Sequence, residues 1–517
     1  RKDPMTRTHK PTRRAFALAA MAVASIVLSG CATLAPAPAP ERLPDLTGVS
    51  EALLPYYQQE LAWRDCEGGF DCVEVTAPLD WADPSAGEIE LAVIRQRARD
   101  GQSLGSLLTN PGGPGSSGFD FVRDSLDFAV GADLRRGYDV IGFDPRGVGR
   151  STAVTCFDAA GMDAYLFGIP DGERNSPAWI DEVVADSKKF ATACDRNSDG
   201  ILGYIDTVSA ARDLDLLRGV LGDTKLNYLG FSYGTFLGAT YAELFPERVG
   251  RLVLDGAIDP STSSIDVGTT QAIGFESALR AFMTDCLTQK SCPFRGTVDQ
   301  GMADLGALLA AAERSPLPTP DGREVGSDTM LTGIIAALYA QESWSFLREA
   351  LASALAGEGA QMIFLADFYY NREGGRYLDN STEAFTAYNC MDYPVETDQA
   401  VIDAAAARVL AGAPTIAPYW SSDAPDLCEF WPVPAVGTRG PIHAAGAAPI
   451  LVVGTTNDPA TPYEWSVALS EQLDSGVLIT RVGEGHTGYN KGNRCVDDAV
   501  EAYFLTGAVP AAALRCE

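Results

Sequence analysis

Residues 226–244, which read LNYLGFSYGTFLGATYAEL, decide the fold of this chain. The segment opens with a short β-forming run and closes with an apolar-periodic stretch that predicts a helix. Between the two lies a G-x-S-x-G motif centred on Ser232. In a strand–turn–helix setting, the serine of this motif stands at a sharp turn above the edge of a parallel sheet. We therefore predict that Ser232 is a catalytic nucleophile.

Strand and helix patterns alternate on both sides of this segment. Apolar and β-branched runs predict strands at residues 89–94, 105–109, 138–143, 226–229, 251–254, 448–453 and 477–481. Strands that alternate with helices form a mostly parallel sheet flanked by helices. The sequence therefore predicts an α/β fold class.

A long helical segment interrupts this alternation. Apolar positions at helical spacing occur at residues 272–286, 298–312, 328–355 and 400–411. We expect the first part of the α/β core at residues 49–260, a helical insertion at residues 261–436, and the C-terminal part of the core at residues 437–517.

A serine hydroxyl is a weak nucleophile and needs a base that takes its proton. The chain contains three histidines, of which His9 belongs to an N-terminal leader. His443 lies in a Pro/Gly/Ala-rich segment, where we expect a surface or packing role. His486 lies in a glycine-rich loop after the last predicted strand, at the sheet edge where the base is needed. We therefore predict that His486 is the base.

The base in turn needs a carboxylate that fixes its tautomer and stabilises the imidazolium. Asp458 follows the preceding predicted strand, which gives the chain order Ser, Asp, His. Asp255, at the end of an earlier predicted strand and with Asp259 close by, is the rival candidate. We favour Asp458 as the acid.

The oxyanion that develops on a substrate needs two N–H donors. We predict these donors at Tyr233, directly after the nucleophile, and at Gly113, in the loop NPGGPGSSG at residues 110–118. Part of this loop also matches G-x-G-x-x-G, the dinucleotide-binding pattern. Pro111 and Pro114 fit poorly with the tight turn of that pattern, and no acidic residue about 20 residues later clearly completes it. We therefore expect no cofactor.

The N-terminal residues have the pattern of an export signal. An apolar run at residues 15–28 follows Arg13 and Arg14 and is too short to span a bilayer comfortably. The run ends in VLSGC, which resembles a bacterial lipobox, so we predict a signal peptide at residues 1–30 and lipidation of Cys31. The arginine pair fits either a twin-arginine signal or an ordinary basic region.

A Pro/Ala-rich tether at residues 31–48 follows, and its prolines favour an extended chain. We predict an exported cell-surface lipoprotein of a bacterium, with a released, secreted form as the alternative. Its membrane contact would come only through the lipid on Cys31. The formal net charge of −30 makes nucleic acid and anionic lipid surfaces poor partners.

The cysteines are typical of an oxidising compartment. Eleven are present, and setting Cys31 aside leaves an even number. No C-x-x-C pattern occurs and histidines are few, so we expect no metal site. The sequence does not fix the connectivity, but nearest-neighbour pairs would each close a short loop. These predicted disulfides are Cys66–Cys72, Cys156–Cys194, Cys286–Cys292, Cys390–Cys428 and Cys495–Cys516.

Four motifs together resemble those of a known family. They are NPGGPGSSG at residues 110–118, GFDPRGVGRS at 142–151, GFSYGT at 230–235 and GEGH at 483–486. This set is similar to the tripeptidyl aminopeptidases, which are relatives of prolyl aminopeptidase. It also resembles the mycobacterial-type cell-envelope serine proteases that have been called carboxylesterases. The resemblance covers about residues 50–517 and implies an α/β-hydrolase fold in which a helical cap covers the active site.

The resemblance also implies a function, which is the release of short peptides, often tripeptides, from free N-termini of a peptide or protein substrate. Asn110 stands where prolyl aminopeptidases carry histidine, which favours the tripeptidyl branch. An aminopeptidase must bind the substrate ammonium, and we consider Asp392 and Glu342 as candidate carboxylates in the cap. A carboxylesterase or lipid esterase is the alternative, and a non-catalytic envelope-binding lipoprotein is a remote one.

The second motif contributes two charged residues to which we assign no catalytic role. Asp144 and Arg146 are predicted to be structural, as part of a turn held by a buried ion pair.

Overall fold

A ten-stranded sheet forms the centre of the structure, a computed structural model in which residues 41–66, 68–420 and 423–517 are described. The predicted signal peptide, Cys31 and the first part of the tether lie outside the described residues. The strands, in chain order, are β1 Arg64–Cys66, β2 Phe70–Pro78, β3 Glu88–Gln96, β4 Ser106–Asn110, β5 Asp139–Phe143, β6 Leu226–Phe231, β7 Val249–Asp255, β8 Leu317–Pro318, β9 Glu324–Val325, β10 Arg372–Glu373, β11 Arg376–Tyr377, β12 Ile450–Asn457, β13 Gly476–Glu484 and β14 Leu514–Cys516.

The order of the strands in the sheet is β1-β2-β3-β5-β4-β6-β7-β12-β13-β14. The seven strands from β5 to β14 in this order run parallel. The three strands β1, β2 and β3 extend the sheet in antiparallel pairs. The prediction of a mostly parallel sheet is therefore confirmed, although no strand was predicted at β1, β2 or the short edge strand β14.

Helices occupy both the space around the sheet and the long insertion. In chain order they are α1 Leu54–Tyr57, α2 Gly118–Ala129, α3 Ala132–Gly137, α4 Ala159–Phe167, α5 Pro177–Asn197, α6 Thr207–Val220, α7 Tyr233–Leu244, α8 Ser264–Thr288, α9 Val298–Arg314, α10 Ser327–Leu338, α11 Trp344–Leu355, α12 Ala360–Tyr369, α13 Ser381–Asp392, α14 Gln399–Gly412, α15 Ala417–Trp420, α16 Tyr463–Gln472 and α17 Arg494–Thr506.

Successive side chains of the central strands enter two different cores, one on each face of the sheet. In β12, Ile450 and Val452 belong to one core, whereas Leu451 and Val453 belong to the other. This alternation follows from the two-residue period of a strand. Helices α5, α6 and α7 contribute to the first core, and α2, α3 and α17 contribute to the second. Both faces are thus covered, which explains why the central strands are mostly apolar.

The strand register brings three strand ends to one edge of the sheet. Phe231 at the end of β6 pairs with Asp255 at the end of β7, and Asp255 pairs with Val453 of β12. Because the strands are parallel, their carboxyl ends meet at the same edge. The turns that follow β6 and β7 therefore start side by side, whereas β12 continues past Val453 to Asn457 before its own turn begins at the same edge.

The insertion between β7 and β12 contains helices α8 to α15 and two short hairpins. Helices α8 to α12 build a separate apolar core. Helix α13 is different, because Ala384, Ala387, Tyr388 and Met391 pack into the core of the sheet. This helix therefore connects the insertion to the α/β core.

The helical pattern predicted at residues 328–355 forms two helices rather than one. Helix α10 ends at Leu338, and α11 begins at Trp344. The residues between them, 339–343, lie next to the His486 loop, because the backbone N–H of His486 donates to the carbonyl of Tyr339 at 2.8 Å. After the last turn of α10, the carbonyl of Tyr339 thus accepts a hydrogen bond from a distant part of the chain instead of from the next helical turn.

The prediction that Asp144 and Arg146 form a buried ion pair is wrong, because Arg146 pairs with Asp213 instead. Arg146 donates from Nε and Nη2 to both oxygens of Asp213, each at 2.7 Å, in a fully buried pair. Asp144 instead accepts the backbone N–H groups of Phe119 and Arg150. Each group is structural, but each stabilises a different pair of elements.

Five disulfides link the ten cysteines of the described chain in nearest-neighbour pairs. They join Cys66 to Cys72, Cys156 to Cys194, Cys286 to Cys292, Cys390 to Cys428, and Cys495 to Cys516. The last pair ties the first turn of α17 to the edge strand β14. Within the described residues, no helix is both long and apolar enough to cross a membrane.

We predict that replacing Cys495 and Cys516 together by serine destabilises the protein by about 3 kcal/mol, since the disulfide closes a long loop in the unfolded chain. The sequence separation of this pair is 21 residues, against 6 for Cys66 and Cys72. The corresponding Cys66/Cys72 double variant should therefore lose less, about 2 kcal/mol. Urea unfolding of non-reduced protein measures both, and equal stability of wild type and the Cys495/Cys516 variant would contradict the assignment.

Candidate active site

Ser232 occupies the strained turn between β6 and α7. Its backbone has φ 54° and ψ −125°, a conformation that residues with a side chain rarely adopt. The turn is also crowded, because a Cβ atom on Gly230 would lie 2.4 Å from the carbonyl oxygen of Gly234. The two glycines of the motif are therefore required by packing. The N–H of Ser232 donates to the carbonyl of Asp255 at 2.9 Å, which fixes the turn to the end of β7.

The glycine-rich loop after β4 lies directly against this turn. A Cβ atom on Gly112 would lie 2.7 Å from the carbonyl oxygen of Phe231 and 2.8 Å from Cβ of Ser232. The N–H of Gly112 donates to Oδ1 of Asn110 at 3.0 Å, so this group is already used. The next N–H along the loop is that of Gly113, the predicted oxyanion donor. The structure thus brings the loop of Gly113 beside the turn that carries Tyr233.

His486 and Asp458 form a close pair. Nδ1 of His486 lies 2.9 Å from each carboxylate oxygen of Asp458, whose side chain is fully buried. Nε2 of His486 is buried and has no hydrogen-bond partner among the described residues. A neutral imidazole that donates from Nδ1 keeps a lone pair on Nε2 and can accept a proton there.

The position of His486 relative to Ser232 follows from the end of β7. The carbonyl of Asp255 accepts the N–H of Ser232, and the next residue, Gly256, lies beside the histidine. A Cβ atom on Gly256 would approach Cε1 of His486 to 3.2 Å. The strand end is therefore flanked by the serine turn on one side and by the imidazole on the other.

Asp458 is held by its own turn as well as by the histidine. Its carboxylate accepts the N–H groups of Ala460 and Thr461, the hydroxyl of Thr461, and the N–H of Thr487. The hydroxyl of Thr461 also lies 3.2 Å from Nδ1 of His486. These contacts leave the carboxylate little freedom to rotate. Charge-assisted hydrogen bonds of this kind are stronger than neutral ones.

Asp255, the rival acid, does not touch the imidazole nitrogens. Its carboxylate accepts the N–H of Gly488 at 2.8 Å and of Tyr489 at 2.8 Å. Burial raises the pKa of Asp255 to about 6, although these hydrogen bonds and the charges of Lys491 and His486 oppose the increase. Asp458 thus contacts the ring of His486, whereas Asp255 contacts the backbone of the two residues 488 and 489 that come shortly after it.

The insertion reaches the site through the break between α10 and α11. The ring of Tyr339 packs edge-on against the ring of His486, with 5.3 Å between the centroids. Glu342 lies in the same break and is exposed. Burial lowers the pKa of Lys491 to about 8, against the charges of Asp255 and Glu342, which raise it. Glu342 is therefore an exposed carboxylate near the loop of the predicted base.

Asp392, a candidate for binding the substrate ammonium, does not face an open part of the site. The side chain is buried and accepts the N–H and the hydroxyl of Thr207 at 2.9 and 2.6 Å. The hydroxyl of Tyr233 then donates to the oxygen of Thr207 at 2.5 Å. Burial raises the pKa of Asp392 to about 7. Because this carboxylate is directed at Thr207 inside the fold, the structure contradicts its role as an anchor for the substrate ammonium.

Sequence reasoning did not find several residues of the site. Thr461 follows Asp458 at the spacing of an Asp turn, which is a signal that could have identified it. Tyr339 and Thr207 carry no such signal, because they reach the site from other elements of the fold. His443 lies on the surface with its side chain 59% exposed. Among the described residues, no group of three His, Cys, Asp or Glu side chains could hold a metal ion.

Comparison with known proteins identifies relatives along almost the whole chain. A family model described as "TAP-like protein" matches residues 413–516. The chain is 34% identical to "Serine protease Hip1" of Mycobacterium tuberculosis over 539 residues, covering 99% of each protein. It is 41% identical to "Carboxylesterase B" of the same species, covering 86% of each. It is 31% identical to "Tripeptidyl aminopeptidase" of Streptomyces coelicolor, covering 88% of this chain and 85% of the relative.

Solved structures also resemble this chain. An "Alpha/beta hydrolase fold protein from Chitinophaga pinensis" is 16% identical with a TM-score of 0.34, covering 81% of this chain and 94% of that one. This similarity carries no argument about function. The relatives identified by sequence confirm the family resemblance that the four motifs indicate.

The buried carboxyl of Asp392 leads to a pH-dependent prediction. A carboxyl group whose pKa is raised by folding stabilises the folded state below its unfolded pKa, and this contribution is lost as the pH rises through the folded pKa. For Asp392 the window runs from about pH 4 to about pH 7. Asparagine does not titrate, so the stability of the Asp392→Asn variant should not fall with pH in this way. Its amide can keep both contacts with Thr207.

We therefore predict that the stability of Asp392→Asn relative to wild type increases with pH across this window, by at most about 1.4 kcal/mol per pH unit, and is constant above it. Urea unfolding at a series of pH values measures the difference. The exposed Asp403→Asn variant is the control and should show no such slope. A flat difference for Asp392→Asn would mean that the carboxyl titrates at its ordinary pKa.

Proposed function

The chain belongs to the TAP-like family of serine hydrolases with the α/β-hydrolase fold, and we propose that it acts as an exported serine exopeptidase. In this proposal the enzyme releases short peptides, with tripeptides as the expected product, from the free N-termini of peptide or protein substrates. The catalytic residues are Ser232, His486 and Asp458, and the oxyanion donors are the N–H groups of Gly113 and Tyr233.

The observation that carries the hydrolytic mechanism is the contact between Nδ1 of His486 and both oxygens of Asp458 at 2.9 Å, while Nε2 has no hydrogen-bond partner in the described part of the chain. In the proposed reaction, Nε2 takes the proton of Ser232 as the hydroxyl attacks the substrate carbonyl. The protonated imidazole then gives this proton to the leaving amine. Asp458 stabilises the imidazolium and keeps the ring in the required tautomer.

The acyl-enzyme on Ser232 is resolved by the same groups in reverse. Water loses a proton to Nε2 of His486 as it attacks the ester carbonyl, and the serine oxygen recovers that proton when the peptide leaves. In both steps the negative charge on the carbonyl oxygen needs fixed N–H donors at short range. The close packing of the loop of Gly113 against the turn of Tyr233 supports this assignment.

Two features support exopeptidase activity. Two of the relatives are named as a serine protease and a tripeptidyl aminopeptidase. In addition, the insertion reaches the catalytic loop through Tyr339 and presents the exposed carboxylate of Glu342 in the same break. A carboxylate at this position would pair with the ammonium group of a peptide N-terminus. We assign residues 261–436 as the cap of this enzyme and residues 49–260 and 437–517 as its core.

A carboxylesterase is the second candidate function. A relative with this name is 41% identical over 86% of the chain. The same catalytic groups cleave esters and amides, since both reactions pass through an acyl-enzyme and a tetrahedral oxyanion. The two functions differ in substrate binding. An aminopeptidase gains binding energy from the ammonium group of its substrate, whereas an esterase does not need this contact.

The proposal places the enzyme outside the cytoplasm. Five disulfides are typical of exported proteins, because cytosolic thiols are kept reduced. Attachment through a lipid on Cys31 is part of the same proposal, and it rests on the sequence pattern before that cysteine. Partners are limited to peptide or protein substrates, with no role for nucleic acid.

Peptide substrates with free and acetylated N-termini test the exopeptidase assignment. Once the bound peptide shields it from water, a charge-assisted contact is worth roughly 1.5–3 kcal/mol, or about tenfold to 150-fold in specificity. We expect kcat/KM to be at least tenfold lower for the acetylated peptides, whereas small activated esters remain good substrates. The Glu342→Gln variant should reduce this difference. Glu349→Gln, which removes an exposed charge from α11, is the matched control and should not reduce it.

Equal kcat/KM values for free and acetylated peptides would contradict the exopeptidase assignment. Hydrolysis of esters without any peptide cleavage would favour the carboxylesterase instead.

A further inference from the structure

Asp255 contacts both halves of the catalytic machinery, although it touches neither reacting side chain. It is the last residue of β7 and is completely buried. Its backbone carbonyl accepts the N–H of Ser232 at 2.9 Å. Its carboxylate accepts the N–H groups of Gly488 and Tyr489, which directly follow the histidine loop. One residue thus connects the nucleophile turn to the segment that carries the base.

The segment after His486 needs such support, because its backbone is strained. Thr487 has φ 69° and Asn490 has φ 58°, both in the left-handed region that side chains disfavour. Such conformations persist only where surrounding contacts determine them. Asp458 accepts the N–H of Thr487 at 3.0 Å, and Asp255 accepts the next two N–H groups. Three consecutive amides are therefore held by two carboxylates.

The charge of Asp255 also faces the catalytic base. The charged groups that interact with its carboxylate are Lys491 and His486, and both favour its ionised form. Opposite charges attract each other, so an ionised Asp255 would attract the imidazolium form of the ring. That form appears when Ser232 loses its proton to the imidazole. A purely structural residue would not affect this step.

A buried carboxylate at this strand end costs free energy, which its hydrogen bonds to Gly488 and Tyr489 offset. Burial opposes the ionised form and raises the pKa of Asp255 to about 6. The neighbouring positions of the strand, Leu252, Val253 and Leu254, are apolar and equally buried. Within residues 252–255 of β7, the carboxylate stands only at the position where the strand meets the turn of Ser232 and the histidine loop.

We propose that Asp255 is a positioning residue that sets Ser232 and His486 relative to each other and supports the imidazolium formed during attack. This inference rests on the proposed serine hydrolase mechanism and adds a second carboxylate to it. Asp458 orients the ring of His486, and Asp255 orients the backbone of the loop on which that ring stands.

The Asp255→Asn variant tests the proposal. The amide keeps the size of the side chain but removes its charge, and its single oxygen can still accept from both Gly488 and Tyr489, as Oδ2 of Asp255 does. Hydrolysis of an activated ester is measured per active site titrated with a fluorophosphonate, so that unfolded protein does not count. We expect kcat per active site to fall at least tenfold, with KM changed less than twofold. The acid limb of the kcat/KM profile should move to lower pH, because the protonated imidazole loses a favourable charge.

Asp223, at the amino ends of the parallel strands, provides a matched control. Asp223 is also buried and accepts a backbone N–H, that of Ser106 at the start of β4. Asp223→Asn should lower the unfolding temperature but leave kcat per active site and the pH profile unchanged. Asp458→Asn sets the scale for a direct partner of the imidazole and should reduce kcat by more than Asp255→Asn does.

Two results would overturn the proposal. An Asp255→Asn enzyme with wild-type kcat per active site and an unshifted acid limb would show that the residue only stabilises the loop. If this variant does not fold, Asp255→Glu keeps the charge but displaces it by one methylene group, and wild-type kcat in that variant would exclude a role in positioning. A wild-type protein that neither cleaves the ester nor reacts with the fluorophosphonate would contradict the hydrolase mechanism itself, which is a separate failure.

Discussion

The parallel register of β6, β7 and β12 is the constraint on which the site depends. Phe231 pairs with Asp255, and Asp255 pairs with Val453, so the three strands end at one edge of the sheet. The turns after β6 and β12 then carry Ser232 and Asp458 without needing contacts of their own to bring them together. A shift of one residue in this register would turn the buried side chains to the other face, so the apolar cores on both faces also fix the site.

The insertion adds two contacts to this framework from different directions. Tyr339 packs on the ring of His486 and accepts its backbone N–H. Asp392, on α13, holds Thr207 and through it the hydroxyl of Tyr233, directly after the nucleophile. The insertion is therefore bound to His486 through Tyr339 and to the turn of Ser232 through Asp392. The packing of the insertion and the geometry around Ser232 and His486 thus depend on the same few contacts.

Local signals in the sequence predicted six of the seven parallel strands, all except β14. They also placed Ser232 at a turn between a strand and a helix and His486 in a glycine-rich loop, because β-branched runs, paired glycines and a small number of histidines mark these positions. Partners that lie far away in the chain leave no such signal. Asp213 is 67 residues from Arg146, and Asp392 is 185 residues from Thr207, so neither pair could be predicted. The break in the helical pattern at 339–343 was missed for the same reason, since it lies where the chain contacts the histidine loop.

The central claim is that Ser232 is an activated nucleophile, and covalent labelling tests it most directly. The folded protein is treated with a fluorophosphonate, digested and mapped by mass spectrometry. We predict a single adduct on the peptide that contains Ser232, formed at least a hundredfold more slowly in His486→Ala because the base is missing. An adduct at another residue, or no adduct in folded wild-type protein, would contradict the account.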